Sequence, residues 1–146
     1  MTDKKLKSYR VKIDRIDKEI YALIQKRASH AVAIGKIKSK VSPKESFYKP
    51  DRETKILRNI LNANKKGLLP DSKIRAIYKE LISGCLSLEE ILKVAYLGPE
   101  ATHSEAAVHN QFGSQALRIP TSTIDDVFYQ VINDNVNLGV VPVENS

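Results

Sequence analysis

Arg27, Lys38 and Glu89 are the charged residues of this chain whose positions most demand a chemical reason. Arg27, Ala31, Ile34 and Lys38 recur at i, i+4, i+7 and i+11, which on a helix places Lys38 about 20° around the axis from Arg27 and about 16 Å along it. Two long cationic side chains on one stripe converge on a single small ligand, and the ligand they suit is an anion. Glu89 follows Cys85 by four residues on a face that also carries Ile82 and Leu92. A carboxylate turned toward a core is costly unless it is paired or protonated. Arg10 stands 17 residues before Arg27, about 25 Å away along the axis and about 100° round it. It does not reach the same pocket within one chain, but in an antiparallel pair of helices it reaches the partner's. Two readings stand side by side. These residues form an anion-binding pocket inside a helix bundle, or they form structural ion pairs that fix helix register. Three cations among four inward charges favour the pocket.

The elements that must position them are helices. Tyr9, Ile13, Ile16, Ile20, Leu23, Arg27, His30, Ile34, Ile37 and Val41 alternate steps of four and three, a heptad seam with no proline before Pro43. A helix over residues 3–41 would be roughly 55–60 Å long, whereas a globule of some 90 residues is on the order of 30 Å across. It must project. A second helix opens at "KPDRE", where Pro50 suits the first turn and Asp51 and Glu53 suit its positive end, and runs to Lys65 with Gly67 as the stop. A third opens at "LPDSK" and carries Ile74, Ile77, Tyr78, Leu81, Ile82, Cys85, Leu88 and Leu92 on one face. Two short helices do not cover so long a seam, so the pattern predicts an intertwined homodimer. His30 faces the seam, and a single histidine without partners reads as packing.

Charge divides the chain near Lys93. Residues 1–93 hold 23 Lys and Arg against 11 acids, a net of +12, and residues 94–146 hold one Arg against 6 acids, a net of −5. The basic half is the footprint of something that meets anions: nucleic acid, an acidic membrane surface or a small polyanion. A basic helical module that binds nucleic acid is the alternative to an enzyme. It predicts cations on an exposed face and leaves Arg27 on the seam and Glu89 on an apolar face unexplained. The lone cysteine, Cys85, excludes an internal disulfide and suits a reducing compartment. The start "MTDKKLKSYR" is charged where a signal peptide is apolar, and no apolar run approaches the roughly 20 residues that span a bilayer. A cytoplasmic protein without a membrane partner is expected.

Beyond Lys93 the period changes. "VAYLG", "ALRIP" and "LGVVPV" read as strands that alternate with helices over 104–112 and 123–133, and β-α-β-α-β order predicts a parallel sheet. Thr102 and Ser104 are possible caps at a helix N-terminus, itself a ready anion site, although ordinary capping explains them as well. The closing Glu144-Asn145-Ser146 is a polar triplet after a buried strand.

"YRVKIDRIDKEIYALIQKRASHAVAIGKIK", "FYKPDRE" and "ISGCLSLEE", with the Gly35-Lys36-x-Lys38 run and the Asp51-Arg52-Glu53 helix start, resemble the all-helical chorismate mutases over nearly all of residues 5–92. In particular they are similar to the mutase domain of the bifunctional chorismate mutase/prephenate dehydratase family. "GPEATHSEAA" and "VVPVENS" resemble the opening of the dehydratase domain, with Ala101 where glycine is usual and His103 where an aromatic is usual. The resemblance implies an all-α three-helix mutase domain over 1–92, forming an intertwined dimer. It also implies, over 93–146, the incomplete front of an α/β, periplasmic-binding-protein-like dehydratase domain. The family's catalytic Thr-Arg-Phe motif does not occur in this sequence, so no dehydration is expected from these residues, nor the phenylalanine control of the regulatory domain.

The activity implied is the Claisen rearrangement of chorismate to prephenate in phenylalanine biosynthesis, a reaction without nucleophile, metal or cofactor. It runs by holding a reactive conformer and stabilising charge on the ether oxygen. Carried over, Arg27 and the partner's Arg10 clamp the two carboxylates, for which guanidinium forks are suited. Lys38 donates to the ether oxygen and one carboxylate, Glu53 accepts from the ring hydroxyl, and Arg52 supports it. Glu89 takes the other position at the ether oxygen, where relatives carry Gln or Glu, and must be protonated to donate. Activity is therefore expected to fall with rising pH. Lys49 stands where some relatives place an acid and Cys85 where some place Ser. Both are expected beside the ligand, Cys85 more as a small buried apolar residue than as chemistry.

Overall fold

The computed structural model describes residues 2–42 and 45–143. The triplet Glu144-Asn145-Ser146 and Pro43, the proline that closes the seam, lie outside the described residues. Helix α1 spans Thr2–Val41 without interruption, with Asp3 in its first turn and Lys38 and Lys40 in its last, each at the helix end that its charge favours. The projection expected from length is present. Every residue from 3 to 26 is exposed, and burial begins only at Arg27. The apolar seam lies along the bare part of the helix, with Ile13, Ile16 and Ile20 about half exposed at 55%, 53% and 48%.

Helix α2 covers Pro50–Ala63 and tightens into a 3-10 turn over Asn64–Lys66. The turn is fixed by Asn64, whose side-chain amide donates to the Leu69 carbonyl at 3.0 Å and to Asp71 at 2.7 Å. Helix α3 covers Asp71–Leu86 and packs against both α1 and α2. It ends earlier than the apolar repeat suggests. The Ser87 hydroxyl donates to the Gly84 carbonyl at 2.7 Å, and the Leu88 and Glu89 amides turn back onto Cys85 and Leu86. Leu88 and Leu92 therefore do not extend the helical face. Leu88 is exposed, Leu92 is buried in the core of the following sheet, and Glu89 sits in the turn after α3.

The β-α-β-α-β order is as expected: β1 Lys93–Leu97, α4 His103–Phe112, β2 Leu117–Thr121, α5 Ile124–Ile132 and β3 Leu138–Val140. The strands pair in the order β2-β1-β3, all parallel, with Ala95 opposite Ile119 on one side and Gly139 on the other. Alternation along β1 sorts the core. Val94 and Tyr96 pack with Val108 of α4, and Ala95 packs with Val127 of α5 and Val136. Thr102 caps α4 by accepting from the Glu105 amide at 3.4 Å, and Thr123 caps α5 by accepting from the Asp126 amide at 3.0 Å. Ser104, the other candidate cap, lies inside α4. Ala101 holds a left-handed backbone, φ 61°, a conformation that favours glycine. The end of α4 rests on α3. Gly113, at φ 78°, lies so close to Ser83 that a Cβ there would stand 2.5 Å from the serine Cβ. The Ser114 amide donates to Glu80 at 3.1 Å. No helix among the described residues is long and apolar enough to cross a membrane.

Candidate functional site

Where α1 first becomes buried, it bounds a cavity of about 560 Å³ with α2, α3 and the loop between α1 and α2. The volume suits a small metabolite. From α1 the wall takes Arg27, His30, Ala31, Ile34 and Lys38, so the stripe read at i, i+4, i+7 and i+11 is one face of the site. The loop supplies Phe47, Tyr48 and Lys49, and α2 adds Arg52, Glu53 and Ile56. Ile82, Cys85 and Leu86 of α3 and Glu89 of the turn complete it. Ile34, Ile56, Ile82 and Leu86 give the site apolar sides between charged groups.

The charges are arranged unequally. Lys38 Nζ lies 3.5 Å from Glu89 Oε2 and 3.4 Å from the Phe47 carbonyl, and sits 5.4 Å from the Phe47 ring centroid. Lys38 and Glu89 therefore aim at one point, and the glutamate side chain is only 10% exposed. The close approach of α1 to the turn depends on Gly35, where a Cβ would meet Glu89 Cγ at 3.2 Å. Glu53 is held from α3 by Lys79, whose Nζ donates to its Oε1 at 2.6 Å, with both side chains largely buried. Lys49 pairs with Glu45 at the rim, and that bond and charge hold the Glu45 carboxyl below its ordinary pKa. Among the described residues neither Arg27 nor Arg52 has a carboxylate partner within salt-bridge distance. Among the described residues the site thus offers two uncommitted guanidinium groups and, at other points, three lysine-carboxylate pairs, one of them at the rim. Such a set can bind a compact polyanion and present a donor and a hydroxyl acceptor to it.

Of the eight residues expected at the site, Arg27, Lys38, Lys49, Arg52, Glu53, Cys85 and Glu89 meet at this cavity. Arg10 does not line it. It lies on the exposed stretch of α1. Cys85 is buried as a free thiol. The ion-pair reading is realised for Lys38 and Glu89 but not for Arg27. Glu89 faces the cavity from a turn instead of from the third helix, because the serine-rich end of α3 stops the helix first. Sequence reasoning missed Phe47, Tyr48 and Lys79. The two aromatics stand in "FYKPDRE" directly before the helix start, a signal available in the sequence. Lys79 has no such signal, since its partner Glu53 is 26 residues away on another helix.

Comparison with known proteins followed the same division. The family Chorismate mutase type II matches residues 9–90, and the family Prephenate dehydratase matches residues 94–146. Three curated relatives share the name bifunctional chorismate mutase/prephenate dehydratase. They come from Aquifex aeolicus (47% identical), Stutzerimonas stutzeri (44%) and Pseudomonas aeruginosa (41%). Each alignment covers 97% of this chain and 39% of the relative, so the chain spans about two fifths of the length of the curated relatives it matches. No solved structure matched the chain. These matches lend no support to a nucleic-acid-binding module.

Proposed function

This chain belongs to the chorismate mutase type II family, and we propose that its helical cavity converts chorismate to prephenate, a step toward phenylalanine. The observation that carries this is the meeting of Arg27, Lys38, Arg52, Glu53 and Glu89 around one cavity with apolar sides. In the rearrangement the ether C–O bond breaks as a C–C bond forms in the same molecule, and negative charge grows on the ether oxygen. A site that fixes the folded conformer and places donors at that oxygen accelerates it. Lys38 and Glu89, 3.5 Å apart, take the two positions at that oxygen, where a carboxyl group donates only in its protonated form. Arg27 takes one carboxylate, Glu53 the ring hydroxyl, and Arg52 supports that end. Lys49 and Cys85 border the ligand, Cys85 as packing.

The second carboxylate falls to Arg10 of a second copy. Support for an intertwined homodimer is the bare apolar seam of α1, which two antiparallel copies would cover while carrying each Arg10 toward the other's cavity. Residues 1–92 then form the mutase domain. Residues 93–146 form the front of an α/β domain of periplasmic-binding-protein type, in a cytoplasmic enzyme. The test is to incubate the full chain with chorismate and follow its loss and prephenate formation across pH. Turnover that declines as pH rises, with a flattened profile in Glu89→Gln, is expected. No rate above the uncatalysed rearrangement would overturn the reading, and an unchanged profile in the variant would remove Glu89 from it.

A further inference from the structure

Among the described residues, neither its own helix nor α1 supplies a side-chain partner that holds the Glu53 carboxylate in the cavity wall. Its partner Lys79 reaches across from α3, and the same ammonium donates to the Gln111 carbonyl at 2.9 Å, in the last turn of α4. That carbonyl is at the negative end of a ten-residue helix, where a cation is favoured. Lys79 is thus fixed between two acceptors, one lining the cavity and one belonging to the sheet segment. The next residue makes a second link. The Phe112 ring meets Tyr48 edge-to-face at 5.4 Å, and Tyr48 both lines the cavity and packs against the core of β1. Burial pushes the Tyr48 phenol above its ordinary pKa, with the Gln111 side chain opposing this and the charge of Glu53 adding to it. The following residues, Gly113 and Ser114, are pressed onto Ser83 and bonded to Glu80 of α3. Four consecutive residues at the end of α4 therefore hold α3 together with Lys79 and Tyr48 at one side of the cavity.

We propose that Lys79 is a positioning residue for the mutase reaction, and that the C-terminal turn of α4 fixes it, so that the α/β segment sets how tightly the helical site holds chorismate. This rests on the reading of the cavity as the chorismate site. Without Lys79 the Glu53 carboxylate is free to turn toward Arg52, its neighbour in sequence and a cation with no carboxylate partner among the described residues. The ring hydroxyl keeps its own C–O and O–H bonds through the rearrangement, so loss of its acceptor weakens ground and transition states alike and appears in KM more than in kcat.

The experiment compares chorismate kinetics of the full chain with those of Lys79→Met, Lys79→Arg, Glu53→Gln, the Lys79→Met/Glu53→Gln pair and Gly113→Ala, with thermal unfolding read in parallel. Lys79→Met is expected to raise KM about tenfold with a smaller change in kcat, the scale of one charge-assisted hydrogen bond. Lys79→Arg should recover part of that loss, and the double variant should be no worse than Glu53→Gln alone. Gly113→Ala, which touches no cavity residue but forces α4 away from Ser83, should raise KM in the same direction and by less. If Lys79→Met does not fold, Lys79→Gln, which keeps N–H donors without the charge, is held to the same criteria. A normal KM in the Lys79 variants, or losses that add in full to those of Glu53→Gln, would overturn the positioning role while leaving the mutase reading intact. A normal KM in Glu53→Gln would remove that residue from the substrate and this proposal with it, and a wild-type chain without turnover would end both.

Discussion

Val94, Tyr96 and Val108 of the sheet segment are fully enclosed by their own chain, whereas Ile13, Ile16 and Ile20 of α1, no less apolar, lie about half exposed. The centre of the sheet closes because each crossover helix covers one face of β1, while Leu117, Phe128, Tyr129 and Ile132 on the outside of the segment stay about half exposed or more. A helix of 40 residues outreaches anything its own segment can lay against it. The interiors differ as well. Among the helices the buried set includes Glu53, Ser83 and Cys85, while the sheet encloses aliphatic and aromatic groups. One segment encloses its central strand with its own residues. The other lines a cavity with charged groups and leaves an apolar stripe of its long helix exposed.

The sharpest way to break this contrast is at the cavity. Arg27→Ala removes an uncommitted guanidinium and is expected to lower kcat/KM for chorismate by about 10²–10³-fold, as removal of one preorganised anion donor does elsewhere, with little change in thermal unfolding. A loss below tenfold would make the site something other than a dicarboxylate clamp. Next comes the bare stripe. Ile16→Asp combined with Ile20→Asp should give a monomer by sedimentation, with activity reduced about a hundredfold because each cavity then lacks the partner's Arg10. A variant that stays dimeric or stays active would refute the shared site. In the sheet segment the sign of the experiment reverses. Val127→Ala should cost about 2 kcal/mol in urea unfolding while turnover per folded chain stays at the wild-type value.

The smallest effect concerns Glu105, which accepts from the Ala101 amide at 2.6 Å and from Arg118 at 3.2 Å. The amide bond first, and then the arginine, hold its carboxyl below the ordinary pKa. A carboxylate lowered on folding stabilises the protein fully above its unfolded pKa and loses that contribution as pH falls through the folded one. Unfolding midpoints of the wild type should therefore drop at acid pH by slightly more than those of Glu105→Gln. Parallel acid limbs would show the contact to be worth nothing.

Much of this was legible in the residues. The four-three spacing from Tyr9 to Val41 gave the length of α1 and the face that enters the cavity, and the change of period after Lys93 gave a parallel sheet. Arg27 and Lys38 share one wall of the cavity because helical spacing is a rigid constraint that sequence carries directly, whereas Lys49, Arg52, Glu53 and Cys85 were legible only through the resemblance to the chorismate mutases. The end of α3 was misread because Leu88 and Leu92 continue an i+4 repeat after the backbone has turned. Periodicity records where apolar residues fall, not whether Ser87 has already satisfied the last carbonyls. Lys79 escaped notice for another reason. A lysine on a mostly exposed helix looks solvated until the fold brings Glu53 and the end of α4 to it, and neither is local in sequence.

Gly35 shows what such a site asks of its scaffold. Alanine there would suit the helix better by roughly 1 kcal/mol. Its methyl, however, would stand 3.2 Å from Glu89 Cγ and 3.4 Å from Cβ, so the turn would have to yield by a few tenths of an ångström. Lys38 and Glu89 already meet at 3.5 Å, the far edge of a useful contact. The same substitution would thus strengthen the rod and detune the pair it carries. At this one position thermal robustness and turnover pull in opposite directions, and a selection for heat resistance alone would be expected to find the change that a selection for catalysis rejects.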